Sequence, residues 1–193
     1  MNIILQHYTG RPGKLEEMSM ENISRYADMV GAEYKFIEGQ VFREHMPSQS
    51  QKVFMLDESF DEYDTVLMLD IDKFVRKGEI ANVFDVPGIG LYESIQQGLH
   101  RHLASRYPLA SMDYPYWGGA IYKMDLKTRQ HLRAGLSGTE SFLSGPAEPY
   151  PFHDEGIMHI LAAKTKFNSD HNYLPRKWCY CSYLPNLEES GFI

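Results

Sequence analysis

Tyr63-Asp64-Thr65-Val66-Leu67-Met68-Leu69-Asp70-Ile71-Asp72 is the stretch whose reading decides the fold. Its centre is a continuous apolar run, which predicts a strand covered on both faces, as in a parallel sheet with helices on either side. The run ends on two acids, two residues apart. Alternate residues of a strand face the same side, so the spacing predicts Asp70 and Asp72 side by side at the strand end. Paired carboxylates desolvate and repel each other unless a positive charge lies between them. Mg²⁺ or Mn²⁺ is a natural partner, because it takes a few carboxylate oxygens and completes its shell with phosphate and water. The competing reading is a pair of solvated carboxylates in a turn ahead of Lys73, and Asp-x-Asp by itself does not separate the two.

Working outward, Asn2 to Gln6 reads as a first strand, followed by the polar loop His7-Tyr8-Thr9-Gly10-Arg11-Pro12-Gly13. From Lys14 to Val30, Leu15, Met18, Ile23, Tyr26, Ala27 and Val30 form a helical stripe, with Gly31 as its stop. Glu33 to Ile37 alternates like a second strand, and Ser50 to Phe60 reads as helix. Beyond the central run, Glu79 to Phe84 reads as a helical turn, Ile89 to Glu93 as a strand, and Ser94 to Tyr116 as helix plus loop. Trp117 to Met124 reads as a glycine turn leading into a strand, and Asp125 as the cap of a helix to about Ala134. A loop over Gly135 to Pro151, of the length often used for lids, precedes a helix from Asp154 through Ala163. The alternation predicts one α/β domain over residues 1–193, with a mostly parallel central sheet flanked by helices.

The 193 residues suffice for a real core, and 43% hydrophobic with 23% charged residues is ordinary globular composition. A net charge of −7 argues against nonspecific nucleic-acid binding, which needs excess Lys and Arg on the phosphates. Cys179 and Cys181 are poorly spaced to bond each other and too few for a structural zinc, so they read as free thiols of a reducing compartment. No apolar run approaches the roughly 20 residues of a transmembrane segment. The opening MNIILQHYTG has no basic region ahead of it and does not read as a signal peptide. A cytoplasmic, soluble protein is the expectation, with a domain of a larger or viral protein as the variant of it.

Further candidates surround the acidic pair. Lys52, Arg11 and Arg76 are candidate cations for an anionic ligand. Gly118 and Gly119 would let backbone approach a ligand closely, and Trp117 would offer a stacking face, or else be a core residue. Asp154 and Glu155 head an apolar helix; acids there cap free amides, and they are equally placed for chemistry. The eight histidines read mostly as surface residues.

DEYDTVLMLDIDKFVRKG resembles the donor-metal segment of GT-A-fold glycosyltransferases, and SQKVFMLDE before it and YWGGAIYKMD and FHDEGIMHIL after it stand in the family's order. The resemblance covers roughly residues 1–180 and is nearest to the glycogenin and galactosyltransferase group. It implies a Rossmann-like GT-A fold, with a nucleotide-binding part over about 1–93 and an acceptor-binding part over about 94–193. It implies transfer of a hexose from a nucleotide-sugar, UDP-sugar favoured, to a hydroxyl of a glycan or glycoprotein, with Mn²⁺ or Mg²⁺ and a lean to retention. By this resemblance Asp70 and Asp72 are metal ligands, and Asp154 and Glu155 are catalytic. His7, Tyr8, Thr9, Arg11, Lys52, Asp70, Ile71, Asp72, Trp117, Gly118 and Gly119 are donor-binding. Relatives take a third metal ligand from a late His; His171 is the candidate, on a poor match of its surroundings. Two alternatives stay open: a nucleotidyltransferase using Gly10, Arg11, Gly13 and Lys14, and a noncatalytic nucleotide-sugar-binding module.

Overall fold

The computed structural model describes residues 1–44, 46–136, 153–170, 172–178 and 192. Cys179, Cys181, His171 and most of the Gly135–Pro151 loop lie outside the described residues. Five strands form one sheet in the order β2-β1-β3-β5-β4. They are β1 (Asn2–Tyr8), β2 (Glu33–Glu38), β3 (Thr65–Leu69), β4 (Gly90–Leu91) and β5 (Gly118–Asp125). The helices are α1 (Lys14–Val30), α2 (Ser94–Arg106), α3 (Leu126–Ala134) and α4 (His153–Thr165).

The expected α/β domain is present, but the sheet is mixed rather than mostly parallel. β1 pairs in parallel with β2 and β3, whereas β5 pairs antiparallel with both β3 and β4. The reason lies in the path of the chain. After β4 it runs through α2 and the 107–117 segment, staying at the end of the sheet where β3 stops. Strand β5 must therefore start there and run back, with Leu69 opposite Ile121. This reversal brings Gly118 and Gly119 to the same end as Asp70, whose N–H donates to the Ala120 carbonyl at 3.1 Å.

β3 is buried on both faces, as its apolar run predicts. Val66 and Met68 join Ile3 and Leu5 in a core beneath α4 and α3, built with Ile157 and Leu132. Leu67 packs on the other face with Ile4, Ile121 and the Ile23–Tyr26 side of α1. Alternation along the strand divides one sequence between two cores. The buried side of α1 is Ser19, Ile23, Tyr26 and Ala27, spaced for one helical face. Leu15 and Met18, placed in the stripe from sequence, are instead exposed. Ser19 takes the inner position because its hydroxyl donates to the Lys73 carbonyl and receives the Gln6 amide at 3.0 Å. Gly31 ends the helix with φ +68°, a left-handed conformation that glycine adopts without steric cost.

Ser50 to Phe60 is not an α-helix but two 3₁₀ segments, Ser48–Leu56 and Glu58–Phe60. Side chains three apart eclipse in a 3₁₀ helix, so Gln49 and Lys52 project to one side. The segment is braced by Gln51, whose amide oxygen accepts from Val41 N and Phe42 N and whose nitrogen donates to the Arg43 and Met46 carbonyls. The expected turn over Glu79–Phe84 is a 3₁₀ turn at Val83–Asp85, and the strand over Ile89–Glu93 shortens to Gly90–Leu91. Among the described residues no helix is long and apolar enough to cross a membrane.

Candidate active site

Strand β3 ends at Leu69, so Asp70, Ile71 and Asp72 lie in a turn. Strand alternation therefore does not set their relation, although both carboxylates line one cavity. Asp70 is half-buried, Ile71 is half-buried and Asp72 is exposed. The turn is held from below by polar groups. The Gln6 amide donates to the Asp70 carbonyl at 3.0 Å, and the Tyr34 hydroxyl donates to the Gln6 amide oxygen at 2.9 Å. The Lys73 N–H closes the turn on the Asp70 carbonyl at 3.2 Å.

The positive charge beside Asp70 is Lys52. Its Nζ donates to Asp70 Oδ1 at 2.6 Å and to the Gly119 carbonyl at 2.6 Å, and lies 3.1 Å from Asp154 Oδ2. Lys52 is 7% exposed. Burial works against its charge, but Asp154 and Asp70 together outweigh burial and move its pKa up. The amine is thus a fixed ammonium joining the end of β3 to the start of α4.

Helix α4 carries both candidate acids inward. Asp154 Oδ2 also accepts from the Tyr122 hydroxyl at 2.8 Å. Burial pushes the Asp154 carboxyl up, against the opposing pull of Lys52 and Tyr122. Glu155 accepts from Gly119 N at 2.8 Å on one oxygen and from the Tyr116 hydroxyl at 2.6 Å on the other. Burial pushes it up as well, against these two hydrogen bonds. Gly119 has a steric reason to be glycine: a Cβ there would sit 2.5 Å from Asp154 Oδ2.

Two cavities meet at Lys52 and Asp70. The smaller, about 290 Å³, is lined by His7, Tyr8, Ser48 and Asp72, with Ile71 at its wall. The larger, about 410 Å³, is lined by Gln96, Leu99, Gly118, Gly119, Asp154 and Glu155. Lys52, Asp70 and Gln49 belong to both. His7 is held by a 2.7 Å contact between Nε2 and the Gly39 carbonyl, and burial lowers its pKa, with Lys52 contributing in the same direction. Thr9 lines neither cavity; its hydroxyl donates to Ser48 Oγ at 2.8 Å and fastens the loop to the 3₁₀ segment.

The structure thus brings together His7, Tyr8, Lys52, Asp70, Ile71, Asp72, Gly118, Gly119, Asp154 and Glu155. It does not bring Arg11 or Arg76 to either cavity; both are exposed. Trp117, expected to offer a stacking face, is fully buried, its indole N–H donates to the Asn172 carbonyl at 2.8 Å, and its ring meets Phe167 edge-on. It is a core residue that anchors the start of β5. His171, the expected third metal ligand, falls outside the described residues. The residues that sequence reasoning missed are Tyr116, Tyr122, Gln49 and Gln96. The two tyrosines flank the Gly118-Gly119 pair already singled out, and nothing in their spacing marks them as partners of the acids. The histidines read mostly as surface residues from sequence, yet His100 and His159 are buried and pack around the Tyr116 ring.

Asp70 and Asp72 suit a hard divalent ion in kind. Asp70 keeps Oδ2 outside its bond to Lys52, and both acids line the smaller cavity. Among the described residues no group of three His, Cys, Asp or Glu side chains converges to hold a metal unaided. Two carboxylates plus substrate phosphates is the usual mode for Mg²⁺.

No family model matches the chain, and no curated protein matches it. Among solved structures, it is similar to a glycosyltransferase involved in the glycosylation of the major capsid of PBCV-1. Identity is 12% and the TM-score 0.39, over 69% of this chain and 65% of that one. The chain therefore matches just under two thirds of that protein's length, and at this score the likeness carries no functional weight.

Proposed function

We propose that the protein is a glycosyltransferase that moves a hexose from a nucleotide-sugar, UDP-sugar favoured, to an acceptor hydroxyl of a glycan or glycoprotein, with Mn²⁺ or Mg²⁺. The observation that carries this reading is the Lys52 ammonium held between Asp70 and Asp154 where two cavities join. The smaller cavity is built entirely from residues before 93, the larger from both halves of the chain. That division supports a nucleotide-binding part over about 1–93 and an acceptor-binding part over about 94–193. Asp70 and Asp72 would hold the metal, which when bound neutralises charge on the departing diphosphate.

The chain's own groups suit the rest of the reaction. The diphosphate lies in the smaller cavity and the sugar in the larger, so that the bond to be broken crosses the Lys52 ammonium. The C–O bond between the anomeric carbon and the diphosphate breaks, and its electron pair leaves with the diphosphate. The acceptor oxygen forms the new C–O bond, and its proton passes to the departing diphosphate oxygen. The three N–H groups of Lys52 are taken up by Asp70, Gly119 and Asp154, so it would act on the departing diphosphate through its charge rather than through a hydrogen bond. Asp154 and Glu155 are both held by donors, which suits them to stabilising an oxocarbenium-like centre rather than to abstracting a proton, and favours retention. The nucleotidyltransferase reading gains no support from its basic loop, because neither Arg11 nor Lys14 lines either of these two cavities.

A thermal-shift panel of UDP-, GDP-, CMP- and dTDP-sugars with Mn²⁺ tests the reading. Stabilisation by one nucleotide class, abolished by Asp70→Ala or Asp72→Ala, is the expected result. Response to nucleoside triphosphates but to no nucleotide-sugar would overturn it.

A further inference from the structure

Gln96 lies on the first turn of α2 and lines the larger cavity. Its amide orientation is set by hydrogen bonding: the Glu93 N–H donates to Gln96 Oε1 at 3.1 Å, and an N–H can bond only to the oxygen end. The NH₂ end is therefore turned the other way, against Gly118, where a Cβ would lie 2.8 Å from Gln96 Nε2. Gly118 has no side chain, so this donor reaches the cavity over bare backbone. Leu99, three residues along the same helix face, lines the cavity beside it, and Leu91, paired with Gly118 across the sheet, lines it from β4.

The wall thus combines one oriented N–H donor with leucine surface. On this side of the cavity the neighbours contributed by β4 and α2, Leu91 and Leu99, offer a hydroxyl no acceptor for its proton; the carboxylates that line the cavity, Asp70, Asp154 and Glu155, come from the end of β3 and from α4. A carbonyl that carries a methyl group fits both features: the oxygen accepts from Gln96 Nε2, and the methyl packs on the leucines. Gly118 matters for the same reason, since any side chain there would close the gap between the amide and the ligand.

From this geometry we infer that Gln96 is a specificity-determining residue that selects an acetamido-bearing sugar on the donor. The inference rests on the transferase reading above and deepens it.

The test is a calorimetric comparison, with Mn²⁺ and the nucleotide that the panel selects, of donors carrying N-acetylglucosamine or N-acetylgalactosamine against those carrying glucose or galactose. The proteins are wild type, Gln96→Glu and Gln96→Met. Wild type is expected to bind the acetamido donors at least about tenfold more tightly, the discrimination a buried hydrogen bond and a packed methyl provide. Gln96→Glu keeps an oxygen for the Glu93 N–H, so the helix start is preserved while the N–H donor is lost; the preference should fall to about unity. Gln96→Met should do the same. Equal or tighter binding of the plain hexose donors by wild type overturns the inference and leaves the transferase reading standing. An unchanged preference in Gln96→Glu also overturns it. Binding of no nucleotide-sugar at all overturns both readings together. Should a variant not fold, the wild-type donor ranking decides alone.

Discussion

Lys52 and Lys123 are both 7% exposed, and the sheet treats them in opposite ways. Lys52, at the carboxyl end of β3, has two carboxylates around its ammonium, and its pKa rises. Lys123, within β5, donates to the main-chain carbonyls of Val83 and Val86. Burial pushes it down to about 8, opposed only by the more distant Asp85. Carbonyl dipoles satisfy the amine's hydrogen bonds without matching its charge, whereas carboxylates do both. One lysine pins the 83–86 turn to the sheet and the other builds an electrostatic site. Burial by itself does not distinguish them; the charges of their neighbours do.

The largest expected effect separates the two lysines directly. Lys52→Met leaves Asp154 buried without its counter-charge, and should cost about 3–5 kcal/mol in urea unfolding and abolish transfer. Lys123→Met leaves only neutral carbonyls behind, and should cost about 1–3 kcal/mol with activity retained. Equal losses in the two variants would break the comparison.

Gly119→Ala comes next. Its Cβ would meet Asp154 Oδ2 at 2.5 Å and displace a carboxylate held by Tyr122 and Lys52. A loss of about 2–3 kcal/mol, with turnover falling far more than donor affinity, is expected. A fully active, stable Gly119→Ala would show that the Asp154 position is not critical.

The pH dependence of stability sharpens the contrast further. The folded pKa of Lys123 is about 8 against an ordinary 10.5, so between these values the unfolded chain binds more protons than the folded one. Stability therefore rises with pH across that window in wild type relative to Lys123→Met, by on the order of 1–3 kcal/mol. Lys52, shifted upward, contributes no such rise there. Denaturant titrations at pH 7.5 to about 10.5 check this, and parallel curves for the two proteins would refute the Lys123 assignment.

The smallest effect is at the neighbouring glycine. Gly118→Ala meets Gln96 Nε2 at 2.8 Å, the end of a side chain tied only by the 3.1 Å bond from the Glu93 N–H, so moving it aside should cost about that one hydrogen bond, on the order of 1 kcal/mol. A loss as large as that of Gly119→Ala, read in the same unfolding assay, would remove the distinction between a fixed and a yielding neighbour.

Much of this was legible from residue order. The apolar run Val66–Leu69 has the composition of a strand buried on both faces, and it is one. Asp125 caps α3 by accepting from Thr128 N at 2.7 Å, as its place before the helix implied. Gly119, Asp154 and Glu155 stand out for local reasons, a glycine pair and a helix start, whereas Lys52 stands out through the family resemblance. What local reasoning lacked was the partner of each group. Strand periodicity puts Asp70 and Asp72 on one face, but the strand stops at Leu69, and it is the turn after it that sets both acids on one cavity. Trp117 reads equally as ligand platform or core, and only the surrounding Phe167 and Asn172 settle it as core.

The sequence by itself determined the elements and the supply of charge: a doubly buried strand ending in acids, a helix headed by acids, and a lysine just ahead of the apolar run Val53–Leu56. These are properties of neighbours along the chain, set by periodicity and capping. The tertiary structure alone decided that β5 runs back against β3, and so delivers Gly119, Tyr122 and, through α4, Asp154 to Lys52. Contacts between residues 52, 70, 119 and 154 depend on how distant segments pack, which no local pattern encodes. Asp70, at the end of β3, thereby acquires an ammonium for a neighbour.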